Sequence, residues 1–316
     1  MNCKQDMARQ GNASQRGFTL IELIMVIVIM GVIGGMVSVF MKNPIDAYIA
    51  SGRRAAMTDV ADTVVRRMAR DIRKGLPNSL FLPGSGCIEF IPTKTGGRYR
   101  EAIDSTATVA QTALNILDFT AEDHSFNILG DNSVLPADQQ IHQGDLIAVY
   151  NLGIPGASAY QRDNIARVSA DTTLIPAHVS AGITYGPETL ITTDARLAAY
   201  PLESGGKRFH VIPAAEHVVS YVCVGATAEG AGTLFRYARP ALTAAYTTPA
   251  SCAALQLTML ADITDPPAVL AQNVSTCSFV YDPENQRDAI VQVTLGLTLN
   301  GETVNLYHEV HVDNTP

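Results

Sequence analysis

The chain begins polar, turns almost wholly apolar, and then breaks into short alternating runs. Residues 1–17 are polar and end in Gln15-Arg16-Gly17. From Phe18 to Phe40 the sequence FTLIELIMVIVIMGVIGGMVSVF carries one charge, Glu22. A helix of about 23 residues is about 34 Å long, enough to cross a hydrocarbon core of about 30 Å. After it, Ala47, Ala50, Met57, Val60, Val64 and Met68 recur at helical spacing and are expected to face a globular head. Gly75 and Pro77 supply stop signals, so the pattern predicts a helix over 18–75. Pro44 removes a backbone donor and clashes with the preceding turn, so a bend is expected there. Gly31, Gly34 and Gly35 loosen the helix or permit close helix packing.

From Leu76 onward helical periodicity fades. The runs Cys87–Ile91, Leu114–Phe119, Asp145–Asn151, Ile165–Val168, Arg208–Ile212, Val218–Val224, Thr233–Tyr237, Thr276–Tyr281, Ala289–Leu299 and Glu302–Val312 are bounded by turn residues and read as antiparallel strands. Asn300-Gly301 is a strong type I′ turn signal and predicts a terminal hairpin. Gly225 and Gly230–Gly232 predict a second hairpin within 223–237. Residues 241–272, rich in Ala, Thr and Pro, are expected to loop over the surface. The fold class is α+β: a long N-terminal helix, half membrane-inserted and half head-packed, with a β-rich antiparallel head. The expected divisions are a leader 1–17, an anchor 18–43, an amphipathic helix half 44–75 and a head 76–316.

Charge bears on the partners, and the cysteines suggest an exported head. The net charge is −8, and removal of residues 1–17, with Lys4, Arg9 and Arg16 against Asp6, leaves −10. An acidic body argues against nucleic acid as a partner. One stretch runs the other way: Arg53, Arg54, Arg66, Arg67, Arg70, Arg73 and Lys74 face only Asp59, Asp62 and Asp71, a pattern suited to anionic lipid or an acidic neighbour. Of five cysteines, Cys3 lies in the leader. The four in the head suggest two disulfides, for which Cys223–Cys252 and Cys87–Cys277 are the expected pairs among three connectivities.

The head offers little for catalysis. His308-Glu309-Val310-His311 has the wrong spacing for HExxH, and on a strand the two histidines point to opposite faces. His210 and His217 have no obvious carboxylate partner. Asp131-Asn132, Asp262 and Asp265 offer oxygens for calcium, yet EF-hand spacing is absent, so no cofactor is expected. No nucleophile elbow, P-loop or dinucleotide fingerprint is present, and the chain is not expected to be an enzyme.

The chemistry concentrates at the N-terminal junction. An ordinary signal peptide has its small-residue cleavage site after the apolar block. Here the small residue, Gly17, precedes it, so a cut at Gly17 removes the leader and keeps the anchor. A carboxylate in hydrocarbon is costly, which makes Glu22 a functional candidate. A cut before Phe18 frees an α-amine that can neutralise Glu22, one turn away or on a neighbouring helix.

The motif Arg16-Gly17-Phe18-Thr19-Leu20-Ile21-Glu22-Leu23 closely resembles the class III signal of type IV pilins and type II secretion pseudopilins. The resemblance implies cleavage after Gly17 by a prepilin peptidase, N-methylation of Phe18, and docking of subunits through Glu22. It also places a kink proline about five residues before Pro44, where this chain has Val39. Four head segments, Cys87–Pro92, Val149–Gly156, Arg208–Val211 and Leu306–Val312, are similar to minor pilins of the mannose-sensitive haemagglutinin (MSHA) pilus. That likeness implies a low-abundance subunit that initiates or caps a filament. The implied partners are other pilins and an inner-membrane assembly platform, with the head in the periplasm and later on the pilus surface. A large minor pseudopilin of a secretion machine and a tip adhesin are the alternatives.

Overall fold

The computed structural model describes residues 17–102, 116–120, 123–180, 182–194, 202–239, 242, 246–262, 266–282 and 288–316. The leader residues 1–16 with Cys3, the expected calcium oxygen Asp265, and residues 114–115 lie outside them. Two compact units divide at Arg53/Arg54.

Helix α1 covers Leu20–Arg73, close to the expected 18–75, and Pro44 lies inside it. In the first unit every residue from 17 to 49 is exposed. The second unit begins on the same helix. There Met57, Ala61, Val64, Val65, Met68, Ala69 and Ile72 are buried, a stripe with the three- and four-residue spacing of one helical face. Val60, expected on this stripe, is 44% exposed, because it sits beyond the edge of the buried arc. Ala47, also expected there, is exposed and belongs to the first unit.

The strands follow in order: β1 (Phe81–Gly84), β2 (Cys87–Phe90), β3 (Thr95–Arg98), β4 (Ser125–Leu129), β5 (Leu146–Ala148), β6 (Ile165–Arg167), β7 (Thr173–Ile175) and β8 (His178–Ser180). Next come β9 (Ile183–Tyr185), β10 (Glu188–Thr192), β11 (Arg208–Ile212), β12 (Val218–Val224), β13 (Gly232–Arg239), β14 (Ala268–Asp282), β15 (Asp288–Leu299) and β16 (Glu302–Asp313). The main sheet has the order β1-β2-β12-β13-β14-β15-β16; smaller sheets are β3-β11-β5-β6, β4-β10-β7 and β8-β9. All strand pairs among the described residues are antiparallel.

Both expected hairpins form. β15 and β16 pair from Leu299↔Glu302 to Asp288↔Asp313. Asn300 and Gly301 at the turn have φ of 52° and 82°, as a type I′ turn requires. β12 pairs β13 from Val224↔Thr233 to Val218↔Arg239. Residues 116–119 form no strand, and Leu117 packs into the core without one.

The region 241–272 departs from the expected surface loop. Helix α2 covers Cys252–Asp262, and β14 starts at Ala268. Ser251 opens α2: its carbonyl accepts from the Leu255 N–H at 2.9 Å and its Oγ from the Ala254 N–H at 3.2 Å. Leu255 and Met259, one turn apart, are fully buried.

Alternation along the main sheet sorts its side chains onto two faces. Ile88, Phe90, Val219 and Tyr221 join the core under α1. Cys87, Val218, Val222 and Tyr237 join a second core with Leu255 and Met259 of α2. A third core, with Tyr99, Phe126, Ile147, Ile191 and Phe209, lies among the smaller sheets. Burial of each large side chain contributes about 1.5–3 kcal/mol, and polar ties add to the α1 contact. Tyr221 Oη donates to Asp71 Oδ2 at 2.5 Å, and Arg236 Nε donates to the same oxygen at 3.1 Å. Arg236 also reaches Glu216 with both terminal nitrogens, at 2.9 and 2.8 Å.

The disulfide pairing corrects the expected one. Cys87 bonds Cys252 and Cys223 bonds Cys277, with Cα separations of 5.5 and 6.3 Å. Neither Cys223–Cys252 nor Cys87–Cys277 forms. The reason is positional. Cys87 faces the second core, where the unexpected helix α2 presents Cys252 at its first turn. Cys223 and Cys277 both pack against the core under α1.

Candidate functional site

The junction residues Gly17, Phe18 and Thr19 precede α1 and have no regular structure. Phe18 is 84% exposed. A Cβ at Gly17 would meet nothing within 4 Å, so crowding does not require a glycine there. The scissile position expected from the sequence is therefore an exposed dipeptide without regular structure at the foot of the helix.

Glu22 lies in the first turn of α1. Its Oε2 accepts from the Thr19 backbone N–H at 3.3 Å and from Thr19 Oγ1 at 3.2 Å. In return the Glu22 N–H donates to Thr19 Oγ1 at 3.3 Å. The Thr19 carbonyl accepts from the Leu23 N–H, closing the first helical turn. This is a capping box, which satisfies two N-terminal N–H groups by side chains. The structure thus adds Thr19 to the site. The pattern Thr-x-x-Glu at 19–22 was the available sequence signal. The box also directs the carboxylate toward the chain start, beside the residue whose amine a cut after Gly17 would free.

The rest of the apolar segment presents a continuous surface without a polar side. Leu20–Arg73 contains a stretch long and apolar enough to cross a membrane, and none of that stretch is buried within the chain. Cβ atoms at Gly31, Gly34 and Gly35 would have open space around them. These glycines therefore relieve no crowding inside the protein and are free to admit another helix at short range.

The remaining candidates are scattered. His308 and His311 fall on opposite faces of β16, half-buried and exposed respectively. Asp131 Oδ1 is occupied by the N–H and hydroxyl of Ser133, at 2.8 and 2.6 Å, as it caps a short 3-10 turn. Asn132 is buried and bonds both the Ile141 N–H and its carbonyl. Asp262 ends α2. Among the described residues no group of three or more His, Cys, Asp or Glu is placed to hold a metal ion.

Two titratable groups, Glu89 and the already noted His217, sit in buried environments that the sequence did not show. Glu89 is fully buried on the second face of β2, where Ser220 Oγ donates to it at 2.8 Å. Beside it Tyr160 stacks on Tyr246, and the Arg239 guanidinium lies 4.9 Å from the Tyr246 ring centroid. Burial pushes the Glu89 carboxyl up to about 7, against the pull of these neighbours. His217 Nδ1 accepts from the Leu242 N–H at 2.9 Å. Burial, with Arg162 and Arg167 nearby, pushes His217 down to about 4. His210 is lowered for the same first reason. Glu89 and His217 sit on separate runs in sequence, so spacing gave no sign of either environment.

Comparison with known proteins adds one finding. Residues 12–38 match the prokaryotic N-terminal methylation motif. No curated protein and no solved structure matches the chain significantly. The matched span contains Gly17, Phe18, the capping box and most of the apolar segment. It implies processing by a prepilin peptidase and assembly with other pilins in a membrane machinery. The methylation motif, the long apolar helix and the antiparallel head behind it support a type IV pilin-like protein.

Proposed function

We propose that this chain is a minor pilin of a type IV pilus of the MSHA type, similar to the MshO subunit, acting in pilus initiation or at the tip. One observation carries the reading. A prepilin-type signal contains an exposed Gly17-Phe18 pair, and the apolar stretch that follows is unburied among the described residues. Such a helix is stable first in lipid and then among other pilin helices. The precursor enters the inner membrane with its basic leader in the cytoplasm. Its head, held by two disulfides, lies in the periplasm and then on the pilus. Cleavage after Gly17 frees the Phe18 amine, which is then methylated. Glu22 gives the transfer direction, because a carboxylate leaving lipid is best satisfied by the amine of a neighbouring subunit. Its role is in assembly and not in catalysis.

The size of the head supports a minor subunit over a bulk one, since residues 76–316 are large for a unit repeated along a filament. A type II secretion pseudopilin shares the same N-terminal signal and is the second reading. Deletion of the gene separates them. The proposal expects loss of surface pili with secretion intact; loss of secretion with pili intact overturns it. Purified protein tested for cell or carbohydrate binding decides whether the head is also an adhesin.

A further inference from the structure

We propose that the outward face of α1 between Arg66 and Lys74 is a docking ridge for an acidic protein surface, that of the adjoining subunit in the filament. The inference rests on the pilin reading and extends it to a second contact, made by the head.

Arg66, Arg67, Arg70, Arg73 and Lys74 are all exposed. At about 100° per residue the four arginines fall within an arc of about 120°, and Lys74 follows in the turn that ends α1. The opposite arc holds Val64, Val65, Met68 and Ile72, which are buried against the main sheet. The ridge is therefore carried on a helix that the core holds in place. Arg66 pairs with Asp62 at 2.7 Å. Arg67, Arg70, Arg73 and Lys74 make no ion pair among the described residues. The helix dipole favours cations in the last turn, which accounts for Arg73 and Lys74 but not for Arg66 and Arg67.

The rest of the head has the opposite sign. Residues 77–316 hold 11 Lys and Arg against 24 Asp and Glu. A basic ridge on so acidic a body is complementary to an acidic neighbouring head, whereas acidic face against acidic face repels in other orientations. Complementarity of this kind sets register and orientation more than raw affinity. The ridge also belongs to the unit that starts at Arg54, and not to the apolar unit that enters lipid.

The test uses full-length protein in cells that carry the assembly machinery. Zero-length carbodiimide coupling of sheared filaments joins the Lys74 amine to any carboxylate in contact, and peptide mass spectrometry identifies the partner. The expected result is coupling of Lys74 to an Asp or Glu of another pilin chain. Arg67→Glu/Arg70→Glu is expected to lower that yield at least fivefold, and Arg67→Lys/Arg70→Lys to keep it. Mapping of both disulfides checks that each variant has folded; Arg67→Gln/Arg70→Gln serves if the reversal variant has not. Coupling that stays within one chain, or is unchanged by reversal, overturns the ridge. So does reversal that abolishes flotation with phosphatidylglycerol vesicles while leaving coupling intact, since the ridge is then a lipid contact. Wild type missing from filaments contradicts the pilin reading itself; wild type present with unchanged coupling contradicts the ridge alone.

Discussion

Glu22 is a single charge inside an apolar segment, and its neighbours explain how it is kept there. Thr19 and Glu22 cap one another, so the carboxylate meets two donors before any other subunit arrives. Glu22→Ala should leave cleavage at Gly17 intact, because the exposed junction precedes the helix. The same change should reduce recovery of the protein in sheared filaments at least tenfold; normal recovery contradicts the docking role. Two residues in the head give a pH signature. Glu89 has a folded pKa raised to about 7, so the folded state holds its proton longer than the unfolded chain. Its contribution is full below about 4.5 and is lost as pH rises to about 7. His217 is lowered to about 4, so its contribution is full above about 6.5 and is lost as pH falls to about 4. The two slopes oppose each other and largely offset in the wild type. Glu89→Gln removes one of them. Denaturant midpoints in detergent should then show the variant gaining about 2 kcal/mol relative to wild type on going from pH 5 to pH 7. An unchanged pH dependence contradicts the burial of Glu89 as a carboxylic acid.

At the scale of elements, what the sequence revealed was local. The apolar block, the Met57–Met68 spacing and the Asn300-Gly301 turn each lie within one stretch of chain, and α1 and the β15–β16 hairpin follow them. Long-range placement was hidden. The segment CAALQLTMLAD shows no polar face and lies among Ala, Thr and Pro, so α2 was hidden, although Ser251 and the Leu255/Met259 spacing mark it. Missing α2 also cost the disulfides, because that helix brings Cys252 to Cys87 across 165 residues. The N-terminal site was legible because its residues are contiguous; Thr19 was the one part that needed geometry. Non-reducing peptide maps should link Cys87 to Cys252 and Cys223 to Cys277; a Cys87–Cys277 peptide contradicts the fold around α2. Met68 is fully buried where α1 meets the main sheet. Met68→Ala should cost about 2–5 kcal/mol by thermal or denaturant unfolding, whereas Arg70→Ala on the opposite face should cost under about 0.5 kcal/mol.

At the scale of the molecule, the two units place their apolar residues differently. The unit ending at Arg53 exposes an apolar helix that water does not suit, and the unit from Arg54 buries its apolar residues in its own cores. On the proposed pilin reading, the first unit changes surroundings while the second stays folded. The leader matters to that change because, on this account, its removal turns an anchored precursor into a subunit with a free amine beside Glu22. The Gly17–Phe18 junction is therefore the central claim, and Gly17 lies outside the helix and the packed cores, where an added Cβ meets nothing within 4 Å. The direct measurement is the intact mass of wild type and Gly17→Trp protein, both purified from cells that contain a prepilin peptidase. The account predicts wild type lacking residues 1–17 and bearing one N-terminal methyl group, and a variant that keeps its full leader. A variant shortened by the same 17 residues, or a wild type that retains them, contradicts it.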